Sequence, residues 1–133
     1  MIKKSLLKSA NETAVLAAAF APLLSAGNTI LLSGTVGAGK THFARELIST
    51  CLKNIDALED IPSPTFTLVQ TYELNDVDIW HADLYRLSNL SEIYELGLDT
   101  AFDRAICLLE WTERLGELHP KNALSLKFNI TEV

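Results

Sequence analysis

The residues Gly34-Thr35-Val36-Gly37-Ala38-Gly39-Lys40-Thr41 carry the most specific chemistry in this chain. They match the G-x-x-x-x-G-K-[S/T] pattern at every fixed position. A bound phosphate needs several backbone N–H groups converging on it, and only a loop of small residues lets the chain come that close. Gly34, Gly37 and Gly39 supply that freedom, with Thr35, Val36 and Ala38 as the intervening members of the cradle. A helix starting near Lys40 would add the positive end of its dipole. The Lys40 ammonium suits the β- and γ-phosphate oxygens, and the Thr41 hydroxyl can ligate Mg²⁺. The competing reading is a chance glycine-rich turn. Its position between a buried strand and a helix is what phosphate binding requires.

A phosphate loop binds; hydrolysis also needs the cation held from a second side and a water placed in line. In open α/β sheets ligands collect at the carboxyl ends of strands. Glu110 stands there, directly after the apolar run Ile106-Cys107-Leu108-Leu109, and is the candidate metal-side acid; the alternative is an acidic residue opening a helix. Asp83, after the strand that ends at Ala82, is the second candidate carboxylate, or else a local cap or turn residue. His81 could orient a water or a switch loop, or be a packed structural histidine. His42 and His119 have no partners at metal-ligand spacing. Trp111 could stack on a base or a partner, or fill a core.

Such residues need a scaffold that places them together. Ser9-Ala10-Asn11-Glu12 has the S-x-x-E spacing of a capping box, predicting a helix to about Leu24 that stops at Gly27. Thr29 to Ser33 reads as a strand buried on both faces, and Thr41 to Leu52 has helical apolar spacing. Lys53 to Pro64 reads as a loop, and Phe66–Tyr72 with Val77–Ala82 as a hairpin. Ser91 to Leu96 reads as a short helix closed by Gly97. A buried strand at 106–109, a short helix and a strand from Ala123 to Ile130 complete the order. Continuously apolar strands with helices between them predict an α/β fold: a three-layer α/β/α P-loop arrangement, mostly parallel, with an antiparallel hairpin.

With 133 residues, the expectation is a single domain spanning 1–133. The 48% hydrophobic and 21% charged residues are a globular balance. Acidic residues outnumber basic ones, 17 to 11, for a formal charge of −6. That excludes wrapping a nucleic acid backbone through general positive charge, and Lys3, Lys4 and Lys8 form the only basic cluster. Cys51 and Cys107, embedded in apolar runs, do not suggest a disulfide framework. The apolar stretch from Ala14 to Leu24, interrupted by Pro22, is too short to span a bilayer. A cytoplasmic protein with no membrane association is expected.

Further residues carry a family resemblance. Ser63-Pro64-Thr65-Phe66-Thr67-Leu68-Val69, His81-Ala82-Asp83-Leu84-Tyr85-Arg86-Leu87, Leu96-Gly97-Leu98 and Leu109-Glu110-Trp111 follow the phosphate loop in that order. The chain thereby resembles the TsaE family, formerly YjeE, P-loop ATPases of bacterial tRNA threonylcarbamoyladenosine biosynthesis. The resemblance implies ATP binding and slow hydrolysis in complex with the TsaD and TsaB proteins, which install threonylcarbamoyl on adenosine 37 of ANN-decoding tRNAs. Contact with tRNA would then be indirect, through that complex. By motif position, Lys40 and the loop residues hold phosphates, Thr41 and Glu110 hold Mg²⁺, and Asp83 is a further catalytic carboxylate. Thr65 falls in a switch-like segment sensing the γ-phosphate, Glu12 matches a position near the adenine, and Trp111 shapes the site or a partner surface. This chain has Thr35-Val36 where the family usually has Asp-Leu, His42 where Thr is common, and Ala82 where Phe is usual. Relatives typically continue past the position of Val133 into a further strand and a basic residue near the nucleotide, a contact expected to differ here.

Two other functions fit the phosphate loop taken alone. A small-molecule kinase would need a substrate pocket and an arginine-bearing lid; Arg45, Arg86, Arg104 and Arg114 are present without an obvious lid insertion. A nucleotide-binding module with vestigial hydrolysis would need only the cradle.

Overall fold

The computed structural model describes residues 4–35, 38–64, 68–118, 120 and 123–130. In chain order the elements are α1 (Ala10–Phe20), β1 (Thr29–Gly34), α2 (Lys40–Lys53), β2 (Val69–Glu73), β3 (Asp78–Asp83), α3 (Ser91–Leu96), α4 (Leu98–Arg104), β4 (Ile106–Glu110) and β5 (Ala123–Phe128). Short 3₁₀ segments cover Ala21–Leu23 and Thr112–Leu118. The strands form one sheet in the order β2-β3-β4-β1-β5. All neighbours pair in parallel except β2 with β3.

Strand alternation sorts the core into two layers, because successive side chains leave opposite faces of a sheet. Ile30, Leu32, Ile79, Ile106 and Leu108 pack with Ala17 of α1 and Phe43, Leu47 and Ile48 of α2. Leu31, Ala82, Cys107 and Leu109 pack with Ile93 of α3, Leu98 and Ala101 of α4 and Leu115. Helices therefore cover both faces, giving the three-layer α/β arrangement with its antiparallel pair at one edge. Burial on both faces explains why β1 and β4 read as unbroken apolar runs. Cys51 and Cys107 are buried, unbridged thiols.

Several boundaries differ from the sequence reading, each for a local reason. The first α-helix ends at Phe20, and Pro22 sits in the following 3₁₀ turn because it has no N–H to continue the α-helical ladder. Ser9 Oγ accepts from the Glu12 N–H at 3.2 Å, as a capping box requires, but Glu12 Oε2 accepts from the Lys8 N–H rather than reaching Ser9. β2 begins at Val69: Leu68 has φ +68°, outside the extended region, and residues 66 and 67 of the expected strand lie outside the described residues. The helix α4 was not expected. Gly97, at φ +81°, ends α3 and starts α4, and its Cα faces the Trp80 indole, which a Cβ would meet at 3.4 Å. The expected short helix after β4 is a 3₁₀ run broken at Gly116, and β5 ends at Phe128 rather than Ile130.

Candidate functional site

The phosphate-loop candidates gather at the carboxyl end of β1. Gly34 closes that strand at φ +125°, in register with Phe128 of β5. A Cβ at Gly34 would lie 1.9 Å from the Phe128 carbonyl oxygen, so only glycine lets β5 pass alongside the start of the loop. The Ala38 N–H donates to the Thr35 carbonyl at 3.2 Å. Gly39, at φ +105°, turns the chain into α2, whose Phe43 N–H donates to the Gly39 carbonyl at 2.9 Å. The first N–H groups of a helix have no acceptors within it, so the loop is followed by donors suited to an anion. Val36, Gly37 and Thr65 lie outside the described residues.

Lys40 is only 5% exposed, although a lone ammonium is among the costliest groups to bury. Its Nζ donates to the Gly34 carbonyl at 2.9 Å and stands 4.0 Å from the centre of the Trp111 ring. Trp111 reaches that position because it takes φ +59° immediately after β4, a left-handed conformation uncommon for a bulky residue. The Tyr85 ring packs against the indole at 4.8 Å between centroids. The lysine is thus held between a carbonyl of its own loop and an aromatic face.

One residue along α2, the Thr41 hydroxyl donates to Glu110 Oε1 at 2.7 Å, a bond spanning 69 positions of sequence. Glu110 is 2% exposed, and its other oxygen, Oε2, lies 2.7 Å from His81 Nε2. Asp83 pairs in register with Glu110 on the adjoining strand and is 6% exposed. Asp83 Oδ1 accepts from the Tyr85 N–H at 3.0 Å, and the Leu84 N–H donates to the Glu110 carbonyl at 3.1 Å. The turn role weighed for Asp83 is therefore present, in a residue that also stands beside Glu110.

Glu12 lies at the start of α1, its carboxylate accepting from the Lys8 N–H. That end of α1 is tied to the first turn of α2, where His42 Nε2 donates to the Ala10 carbonyl at 3.0 Å. A cleft of about 530 Å³ runs along the outer side of α2, lined by His42, Arg45, Glu46 and Ser49 against Leu58–Ile61, but it excludes Lys40, Asp83 and Glu110. The pairing of His81 with Glu110 was not foreseen, nor was the seat of Lys40 on Trp111. Residues 79, 81 and 83 leave β3 on one side, and 106, 108 and 110 leave β4 on the same side, toward α2. Counting back by two from Asp83 would have placed His81 in the site.

The sequence profile described as "Threonylcarbamoyl adenosine biosynthesis protein TsaE" matches residues 7–132. The chain belongs to the TsaE family. It is 40% identical to the Rickettsia bellii tRNA threonylcarbamoyladenosine biosynthesis protein TsaE over 130 residues, 97% of this chain and 88% of that relative. It is 43% identical to the TsaE of the same description from Rickettsia conorii over 113 residues, 84% of this chain and 62% of that relative. The crystal structure of Bacillus subtilis YdiB superposes with a TM-score of 0.75 at 25% identity, covering 96% of this chain and 76% of that one. TsaE membership and this superposition agree with the P-loop architecture of the sheet and its covering helices. No helix among the described residues is long and apolar enough to cross a membrane.

Proposed function

We propose that this TsaE-family chain binds ATP with Mg²⁺ and hydrolyses it slowly as an accessory protein in the cytoplasm. It would act on a complex of TsaB and TsaD in the threonylcarbamoyl modification of adenosine 37 of ANN-decoding tRNAs. The observation that carries the reading is the bond between Thr41 and Glu110, which joins the end of the phosphate loop to the end of β4. Its donor set fits the ion: a hydroxyl and a carboxylate oxygen are hard ligands, and Mg²⁺ is commonly held by one or two such groups plus phosphates and water. Bound Mg²⁺ supplies neutralisation of charge on the β- and γ-phosphates. Thr41 and Glu110 would hold it, and Lys40 would exchange the Gly34 carbonyl for phosphate oxygens. Asp83, beside Glu110, would orient the attacking water, and Thr65 would sense the γ-phosphate. The net charge of −6 suits recruitment to a protein complex better than direct contact with tRNA, so tRNA would be reached only through TsaB and TsaD.

The test is ATP hydrolysis by the purified chain, alone and with its cognate TsaB and TsaD. The expected result is turnover stimulated by the pair and abolished by Lys40→Ala, a change that should also remove stabilisation by nucleotide in thermal melts. ATP affinity undiminished in Lys40→Ala would overturn the site assignment. Tight ATP binding with no turnover under either condition would favour a binding module over an ATPase.

A further inference from the structure

His81 is 0% exposed on the α2 side of β3, at a position whose neighbours on that side, Ile79 and Leu108, belong to the apolar core. An apolar residue there would be the less costly choice, because a buried polar ring must have its hydrogen bonds satisfied. Among the described residues this ring is satisfied at one nitrogen only: Nε2 meets Glu110 Oε2 at 2.7 Å, while Nδ1 is buried with no hydrogen-bond partner among them. Nε2 donates that bond, because a carboxylate oxygen accepts. Half-satisfaction in a core position calls for an explanation other than packing.

The other end of the carboxylate provides it. Glu110 Oε1 receives the Thr41 hydroxyl at 2.7 Å, so the two oxygens are held from opposite sides by different elements. Without the imidazole, the carboxylate could rotate about its last torsion, which is broad and nearly two-fold for glutamate. We propose that His81 is the positioning residue of the metal site: by holding Glu110 Oε2 it presents Oε1 beside Thr41, where a divalent cation would be bound. This rests on the Mg²⁺–ATP reading above. Outer partners of this kind change metal affinity or activity by about 10–100-fold when removed.

The test measures binding of a fluorescent ATP analogue to the full chain in EDTA and across a Mg²⁺ titration, with Mn²⁺ paramagnetic resonance as a second readout. His81→Gln keeps an amide N–H at about the reach of Nε2; His81→Asn carries the same group but stops short, near Nδ1. His81→Gln should retain most of the gain in affinity that Mg²⁺ produces. His81→Asn and His81→Leu should lose about 10-fold or more of it while binding nucleotide in EDTA within about twofold of wild type. Mn²⁺ bound in the ternary complex should weaken in the same order. Identical Mg²⁺ dependence in His81→Gln and His81→Asn would overturn the proposal, even if His81→Leu fails to fold. So would equal losses in EDTA and in Mg²⁺, which would mean that the ring props up the whole site. Failure of wild type to bind the analogue, or undiminished binding by Lys40→Ala, would instead remove the nucleotide reading and the His81 role together.

Discussion

Along β3 and β4, two stretches of the same strands obey opposite rules. In the first stretch Ile79, Ile106 and Leu108 face α1 and α2, while Cys107 and Leu109 face α3 and α4, and none of them is more than 2% exposed. In the second stretch, reaching the carboxyl ends, the strands bury His81, Asp83 and Glu110, and Lys40 of α2 is buried as well. The first arrangement lowers free energy by removing apolar surface from water. The second costs free energy unless every group finds a partner: His81 and Glu110 bond to each other, Asp83 accepts from the Tyr85 N–H, and Lys40 donates to the Gly34 carbonyl. The difference separates residues that hold the sheet together from residues the sheet is built to hold.

That separation is open to a direct attack. Ile106→Ala truncates a side chain 2% exposed, four positions before Glu110 on the same strand. It should lower the unfolding free energy by about 2–5 kcal/mol, measured by urea denaturation. Nucleotide affinity in the folded fraction should change by less than about threefold. A large affinity loss in a fully folded variant would show that core and site are not separable.

The reverse experiment is Glu110→Gln. Shape is kept, and the groups facing the carboxylate are Thr41 and His81. The stability loss should be about 1 kcal/mol, below that of Ile106→Ala, because one hydrogen bond is mismatched and no cavity forms. Mg²⁺-dependent turnover should fall by about 100-fold while Mg²⁺-free nucleotide binding stays near wild type. Equal losses in both would assign Glu110 to folding.

The legibility of the two stretches in the sequence also differed. The core strands were readable because burial on both faces leaves an unbroken apolar run, as at Ile106–Leu109, and the phosphate loop because its glycines are dictated by close approach. The helix α4 was missed: Leu98–Arg104 is short, and its apolar residues are too few to show a period before Gly97 is known to start it. Glu110, Thr41 and Lys40 were legible by type and place. The contacts of Glu110 with His81 and of Lys40 with Trp111 were not, because they depend on strand register and on the left-handed turn at Trp111, and neither is written in local spacing.

A narrower test concerns that turn. Trp111→Leu removes the face beneath the Lys40 ammonium, 4.0 Å from the ring centre. A double-mutant cycle with Lys40→Ala should give a coupling of about 0.5–2 kcal/mol, the range for a partly desolvated cation–π contact. Additive losses would mean that the indole serves Tyr85 and the local fold, and not the lysine.

The smallest effect asks whether the two stretches open together. Cys107 lies in the apolar part of β4, three positions before Glu110, and burial pushes its thiol from 9.0 up to about 12. Thiolate is the reactive form, so at pH 8 a disulfide reagent should label Cys107 only when the sheet opens. The sign follows from proton binding: between pH 9 and 12 the unfolded chain releases a proton that the folded one retains. This thiol's stabilising contribution is therefore fully present below pH 9 and is lost as pH rises toward 12, by at most about 1.4 kcal/mol per pH unit. In a Cys51→Ser background the labelling rate of Cys107 isolates that opening. If β4 opens as one cooperative unit, nucleotide bound at its carboxyl end should slow labelling by the factor 1 + [L]/Kd, roughly 100-fold at a hundred times Kd. A rate indifferent to nucleotide would mean that the apolar stretch opens beneath an intact site, and the two regions would then be separable in dynamics as well as in chemistry.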